Sequence, residues 1–121
     1  MNTTQRVIAG ATIAAALSLA VGAAAHPLSR EECAEGGDFI KNAALSRENG
    51  MDGMTFLART IEDFAAIKSF PPSLRWFVQD QYDEDYLLKA VADVFSNPRE
   101  PQAHQTNFFG DCVTRTSSAS D

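Results

Sequence analysis

Two cysteines, Cys33 and Cys112, stand near opposite ends of the part of the chain that can fold, and they limit its fold more than any other feature. No Cys-x-x-Cys spacing accompanies them, so a redox or metal pair has little support in the sequence. An even pair in an oxidising compartment reads as a disulfide. It closes a loop of about 80 residues, for which chain entropy gives roughly 4.5 kcal/mol before any native strain. That is comparable to the whole stability of a small domain.

The oxidising compartment is itself an expectation from the first residues. Met1 to Gln5 is short and polar, and Arg6 is the only charge before His26. Val7 to Val21 is apolar and small, too short and too weakly hydrophobic for a membrane span of about 20 residues. Gly22 and Ala23-Ala24-Ala25 follow, with the small-x-small pattern of a signal-peptidase site. Residues 1–25 therefore read as a signal peptide, and His26 as the mature N-terminus of a periplasmic or secreted bacterial protein. A retained membrane anchor is the competing reading.

Removing residues 1–25 leaves 96, enough for a single domain spanning 26–121 with one modest core. Arg6 leaves with the leader, so nine basic residues face sixteen acidic ones, a formal charge of −7. That balance argues against nucleic acid and against anionic membranes, both of which need a basic patch. It favours solubility, or a basic protein partner.

The punctuation of the chain is helical throughout. Ser29-Arg30-Glu31-Glu32 has the form of a capping box. Behind it Cys33, Gly36 or Gly37, Ile40, Ala44 and Arg47 recur on one face, and Gly50 supplies the stop. The glycine pair weakens this helix and suits a close crossing by another. Asp52 caps a second helix, with Met54, Leu57, Ile61, Phe64 and Ala65 as its expected buried stripe. Pro71-Pro72 breaks it, and Leu74 to Gln79 reads as a turn or two of helix. Asp83 is the expected cap of a third long helix, with Glu84 and Asp85 in its first turn. Leu87, Leu88, Val91, Val94 and Phe95 give it a wide apolar stripe that ends at Asn97-Pro98. Pro101 opens a last helix carrying His104, Phe108, Cys112 and Arg115, and the polar residues 114–121 read as a frayed tail. No alternating segment predicts a strand. The expected fold is all-α: a small bundle of four main helices plus a short helical segment, the first and last joined by the disulfide.

Motif chemistry is sparse. The chain has no G-x-S-x-G, no Gly-rich phosphate loop and no H-E-x-x-H, so the expectation is that it is not an enzyme and needs no cofactor. The acidic run from Asp80 to Asp85 fails the calcium-loop template, which needs Gly at the sixth position and Glu at the twelfth. A mature N-terminal His26 offers its amine and its ring. With His104 it would form a three-nitrogen copper site, the basis of an alternative reading as a small-ligand or copper binder. The preferred reading is a partner-binding surface. Phe70, Trp76 and Tyr82 cluster around two prolines, with Asp80, Asp83 and Glu84 as an acidic rim, and Trp76 is the expected anchor.

The stretch Leu87-Leu88-Lys89-Ala90-Val91-Ala92-Asp93-Val94-Phe95-Ser96-Asn97-Pro98, followed by a final helix through Cys112, resembles many small exported bacterial proteins. It is also similar to the periplasmic immunity proteins that neutralise type VI secretion amidase effectors. Those proteins are small, signal-bearing, all-helical and disulfide-stapled. The resemblance implies the same fold class and a role as an inhibitor or immunity protein, and it carries over no contact residues.

Overall fold

A computed structural model describes residues 28–120, with side chains placed through Thr116. Residues 1–25, read from the sequence as a signal peptide, and His26 lie outside these residues. The described chain is four helices: α1 (Arg30–Glu48), α2 (Gly53–Ile67), α3 (Gln81–Ser96) and α4 (Pro101–Ser120). A single 3₁₀ turn, Pro72–Leu74, lies between α2 and α3. No strand occurs among the described residues. The all-α bundle expected from the sequence is the fold observed.

The ends of α1 are set by local chemistry. Ser29 Oγ accepts the Glu32 N–H at 3.0 Å, and Glu32 Oε1 accepts the Ser29 N–H at 2.9 Å, the full capping box. At the far end Gly50 adopts φ +92°, its N–H donates to the Arg47 carbonyl, and the Met51 N–H donates to that of Ser46. This is the Schellman pair of bonds, and it explains why a glycine stands there.

α1 packs mainly on α4 and then on α3, while α2 touches α3. The α1–α4 crossing is close because Gly36 has no side chain. A Cβ at that position would stand 2.6 Å from Phe108 Cε1 and 2.9 Å from Phe77 Cδ2. One turn away the Cys33–Cys112 disulfide joins the same two helices, with the Cα atoms 5.6 Å apart. Ile40, Phe64, Phe77, Leu87, Val91 and Val94 fill the core around this crossing. Arg47 crosses from α1 to the end of α3 and donates to the Val94 carbonyl at 2.6 Å and the Arg99 carbonyl at 2.7 Å. It satisfies a last-turn carbonyl with a cation on the side the helix dipole favours.

Three sequence expectations are corrected by the structure. The cap of α3 is Asp80, whose Oδ1 accepts the Asp83 N–H at 2.9 Å, and the helix therefore starts at Gln81. The buried side of α2 is Thr60 and Phe64 with Phe56 and Ile67 packed beside them, while Met54, Ile61 and Ala65 face outward. Residues 75–79 are irregular rather than helical, which lets the consecutive Phe77 and Val78 both be buried. The helix α4 runs through Ser120.

Two stability predictions follow from the crossing. Cys112→Ala should lower unfolding stability by about 2–5 kcal/mol, measured by chemical denaturation under non-reducing conditions. Gly36→Ala should also destabilise, by about 1–3 kcal/mol, because two buried rings must yield. Gly37→Ala is the control. Its Cβ would meet Gln105 Cγ at an ordinary 3.5 Å, so it should gain up to about 1 kcal/mol of helix propensity. Thermal melts of the two alanine variants should move in opposite directions.

Candidate functional site

The segment proposed from sequence as a binding surface is fastened inward along much of its length. Arg75 Nε donates to the Phe70 carbonyl at 2.9 Å, and its two terminal nitrogens donate to the Lys68 and Gln79 carbonyls at 3.2 Å each. Gln79 Nε2 donates to the Arg75 carbonyl at 2.7 Å and the Trp76 carbonyl at 3.1 Å. The 68–80 connection is thus held by its own side chains as well as stiffened by Pro71-Pro72.

Trp76 is half-buried, its ring centroid 5.3 Å from that of Phe39 and 6.0 Å from that of Phe77. Trp76 therefore sits at the core's edge beside the buried Phe77, partly covered and partly open to solvent. Asp83 and Glu84 are also turned in, each only 6% exposed. They lie on the same stripe of α3 as Leu87, Val91 and Val94, so their i, i+3 and i+4 spacing to Leu87 was a readable signal of burial.

Both carboxylates are partnered. Glu84 Oε2 pairs with Lys68 Nζ at 2.7 Å, tying the end of α2 to the start of α3. Asp83 Oδ2 accepts the Gln79 N–H at 3.1 Å, and Oδ1 faces Arg115 Nη2 at 3.4 Å. Arg115 in turn lies over the rings of Tyr82 and Tyr86, 4.5 and 4.2 Å from their centroids. Burial pushes the Asp83 carboxyl above its ordinary value, and the nearby Asp80 adds to this, while Gln79 and Arg115 oppose it. Of the sequence-proposed set, Phe70, Tyr82 and Asp80 remain exposed, Phe70 at 49% and Tyr82 at 69%.

Two further large apolar side chains face outward on α2. Met54 is 78% exposed and Ile61 55%, with the exposed Ala58 and Ala65 between and beyond them. At 100° per residue the apolar positions of α2 cover roughly 200° of its circumference, twice the ~100° stripe that a helix buried on one side needs. Phe56, Thr60, Phe64 and Ile67 occupy the half that meets the body of the protein. Phe64 is buried in the core, and Phe56 adds ring contacts, its centroid 5.7 Å from those of both Phe39 and Phe95. Leu57 sits at the junction of the two halves. It helps line a groove of about 700 Å³ with Tyr82, Tyr86, Leu88 and Ala92 of α3. Asp85 and Lys89 complete its lining.

Charge is distributed unevenly around this surface. Arg47 and Arg75 are committed to backbone carbonyls, Lys68 and Arg115 to buried carboxylates, and Arg30 lies over the Phe109 ring at 5.1 Å. Among the described residues eleven carboxylate side chains are exposed against five cationic ones, and Lys68 and Arg30 are two of those five. The outer surface is therefore more acidic than the composition alone conveys.

His104 is 4% exposed. Its Nδ1 lies 4.0 Å from Asp93 Oδ2, and Nε2 has no hydrogen-bond partner. Burial lowers its pKa first of all; Asp93 pulls the other way, and Arg47 and Arg99 reinforce the lowering. The ring is thus a neutral interior group. Its proposed copper partner, His26, lies outside the described residues. Among the described residues no group of three or more His, Cys, Asp or Glu side chains is arranged to hold a metal ion. Among them, too, no helix is long and apolar enough to cross a membrane. No family model, curated protein or solved structure matches the chain.

Asp83 yields a pH prediction. Its native pKa is raised above the 3.8 of a free carboxylate, so the native state keeps a proton that the unfolded chain releases. The stability this group contributes is full below the unfolded value and is lost as pH rises through the native value. Asp83→Asn, which cannot ionise, should flatten stability over that acidic window. Denaturation midpoints of wild type and variant, measured stepwise from below the ordinary carboxylate pKa to neutrality, check it.

Proposed function

We propose that this chain is an exported protein-binding module, with an inhibitor or immunity role as its most concrete form. The observation that carries the reading is the uncovered apolar half of α2, centred on Met54 and Ile61 and continuous with the groove at Leu57 and Leu88. Exposed large apolar side chains grouped in this way mark surfaces made to be covered. Aromatic and Met side chains within a polar border are the usual anchors of such interfaces. Tyr82, from the sequence-proposed set, borders the same groove, so part of the earlier surface is retained and its centre moves from Trp76 to α2. Export is supported by the disulfide, which suits an oxidising compartment such as the periplasm.

The test separates binding from folding. Met54→Gln/Ile61→Gln keeps good helix formers at both positions, so its stability should stay within about 0.5 kcal/mol of wild type. It should lose the protein that co-purifies with the tagged wild type from the native cell. Trp76→Ala should instead lower stability by about 2–3 kcal/mol, somewhat below the cost for a fully buried ring. Retention of the same co-purifying protein by the double Gln variant would contradict the reading.

A further inference from the structure

We propose that the occupant of the α2–α3 surface is an amphipathic helix with a cationic polar face, its apolar side laid along Met54, Leu57 and Ile61 and against Leu88. This rests on the protein-binding reading above and specifies the partner's chemistry.

The shape argument comes from the two helices. α2, of 15 residues, and α3, of 16, each run about 22–24 Å at 1.5 Å per residue. Between them lies an open apolar channel rather than a closed pocket, with Leu57 on one side and Leu88 and Ala92 on the other. A helix-in-groove contact reads such a channel with anchors at i, i+3, i+4 and i+7. Ala58 and Ala65 alternate with Met54 and Ile61 along α2, which leaves recesses for large side chains between protruding ones. A helix of about 14 residues spans the channel.

The charge argument selects the sign of the partner. Glu62 and Asp63 on α2, and Asp80 and Asp85 around the start of α3, are exposed. Two of the cations at the ends of these helices, Lys68 and Arg115, are paired with the buried Glu84 and Asp83. Arg59 and Lys89 are the remaining exposed cations on these two helices. With these four exposed acids against two exposed cations on α2 and α3, a cationic helix approaching the pair meets an excess of negative charge, which raises its association rate and penalises an acidic competitor. A second copy of this chain would bring a surface of the same sign, so the charge disfavours self-association here.

The experiment uses synthetic peptides of about 14 residues as probes, followed by fluorescence anisotropy on the disulfide-intact protein. One peptide carries Leu at i, i+3, i+4 and i+7 with Lys elsewhere; a second replaces Lys by Glu; a third scrambles the Leu/Lys order. The Leu/Lys helix should bind at least about tenfold tighter than either of the others. It should weaken at least about tenfold with Met54→Gln/Ile61→Gln, and severalfold with Glu62→Gln/Asp85→Asn at low salt. Equal binding by the scrambled peptide, or binding indifferent to the α2 variant, would overturn the proposal in favour of bare charge attraction. Tighter binding by the Glu peptide would overturn it outright. Sedimentation showing a dimer that the double Gln variant dissolves would also overturn it, naming a second copy as the occupant. If no peptide binds while the co-purifying protein is still lost in the double Gln variant, the helical partner is wrong and the protein-binding reading stands.

Discussion

The approach of α1 to α4 at Gly36 is the contact on which the rest of the structure depends. A missing side chain lets the Phe108 and Phe77 rings lie against the α1 backbone, and the disulfide one turn away holds the two helices at that separation. Phe77 belongs to the irregular segment between α2 and α3, so the same crossing that joins the first and last helices also anchors that connection. Arg47 then closes the end of α3 onto α1. Sequence-distant ends become the centre of the molecule, and the middle of the chain is arranged around them.

Helix α2 is the element least committed to this centre. It is pinned at one end by Phe56 between Phe39 and Phe95, and at the other by Lys68 on Glu84. Among the described residues nothing covers half of its apolar arc. The fastening of the fold also shapes the outer field, because cations are drawn inward to carbonyls and buried carboxylates while most acids stay outside. A single set of internal contacts therefore leaves behind both the apolar strip and its acidic surroundings.

The helices and the caps of α1 and α2 were legible in the sequence because each rests on local chemistry (Ser29 with Glu32, Asp52, Gly50 and the prolines), and the disulfide was legible from an even cysteine pair. Which side of α2 is buried was not legible. With apolar residues over roughly 200° of the helix, periodicity marks an arc without saying which half meets the core. Asp83 and Glu84 read as part of an exposed acidic rim because charge normally signals exposure. Their spacing to Leu87 said otherwise, but the partners that make burial tolerable, Arg115 and Lys68, come from distant positions that no local pattern connects. The half-burial of Trp76 was not legible for a similar reason. Three consecutive large residues cannot share one helical face, but the segment is not helical, and its backbone is held instead by Arg75 and Gln79.

The central claim is a division of labour: a stapled α1–α4 pair with α3 forms the rigid body, and α2 is a loosely tied helix presenting a free apolar face. Native-state amide hydrogen exchange tests it most directly, because it reads the opening free energy of each helix separately. The account predicts that buried amides of α1 and α4 around Cys33, Ile40 and Phe108 exchange only through global unfolding. Those of α2 around Ala58 to Ala65 should exchange through a smaller opening, at least about 1 kcal/mol cheaper. Exchange of α2 at the global rate, in step with α1 and α4, would contradict it.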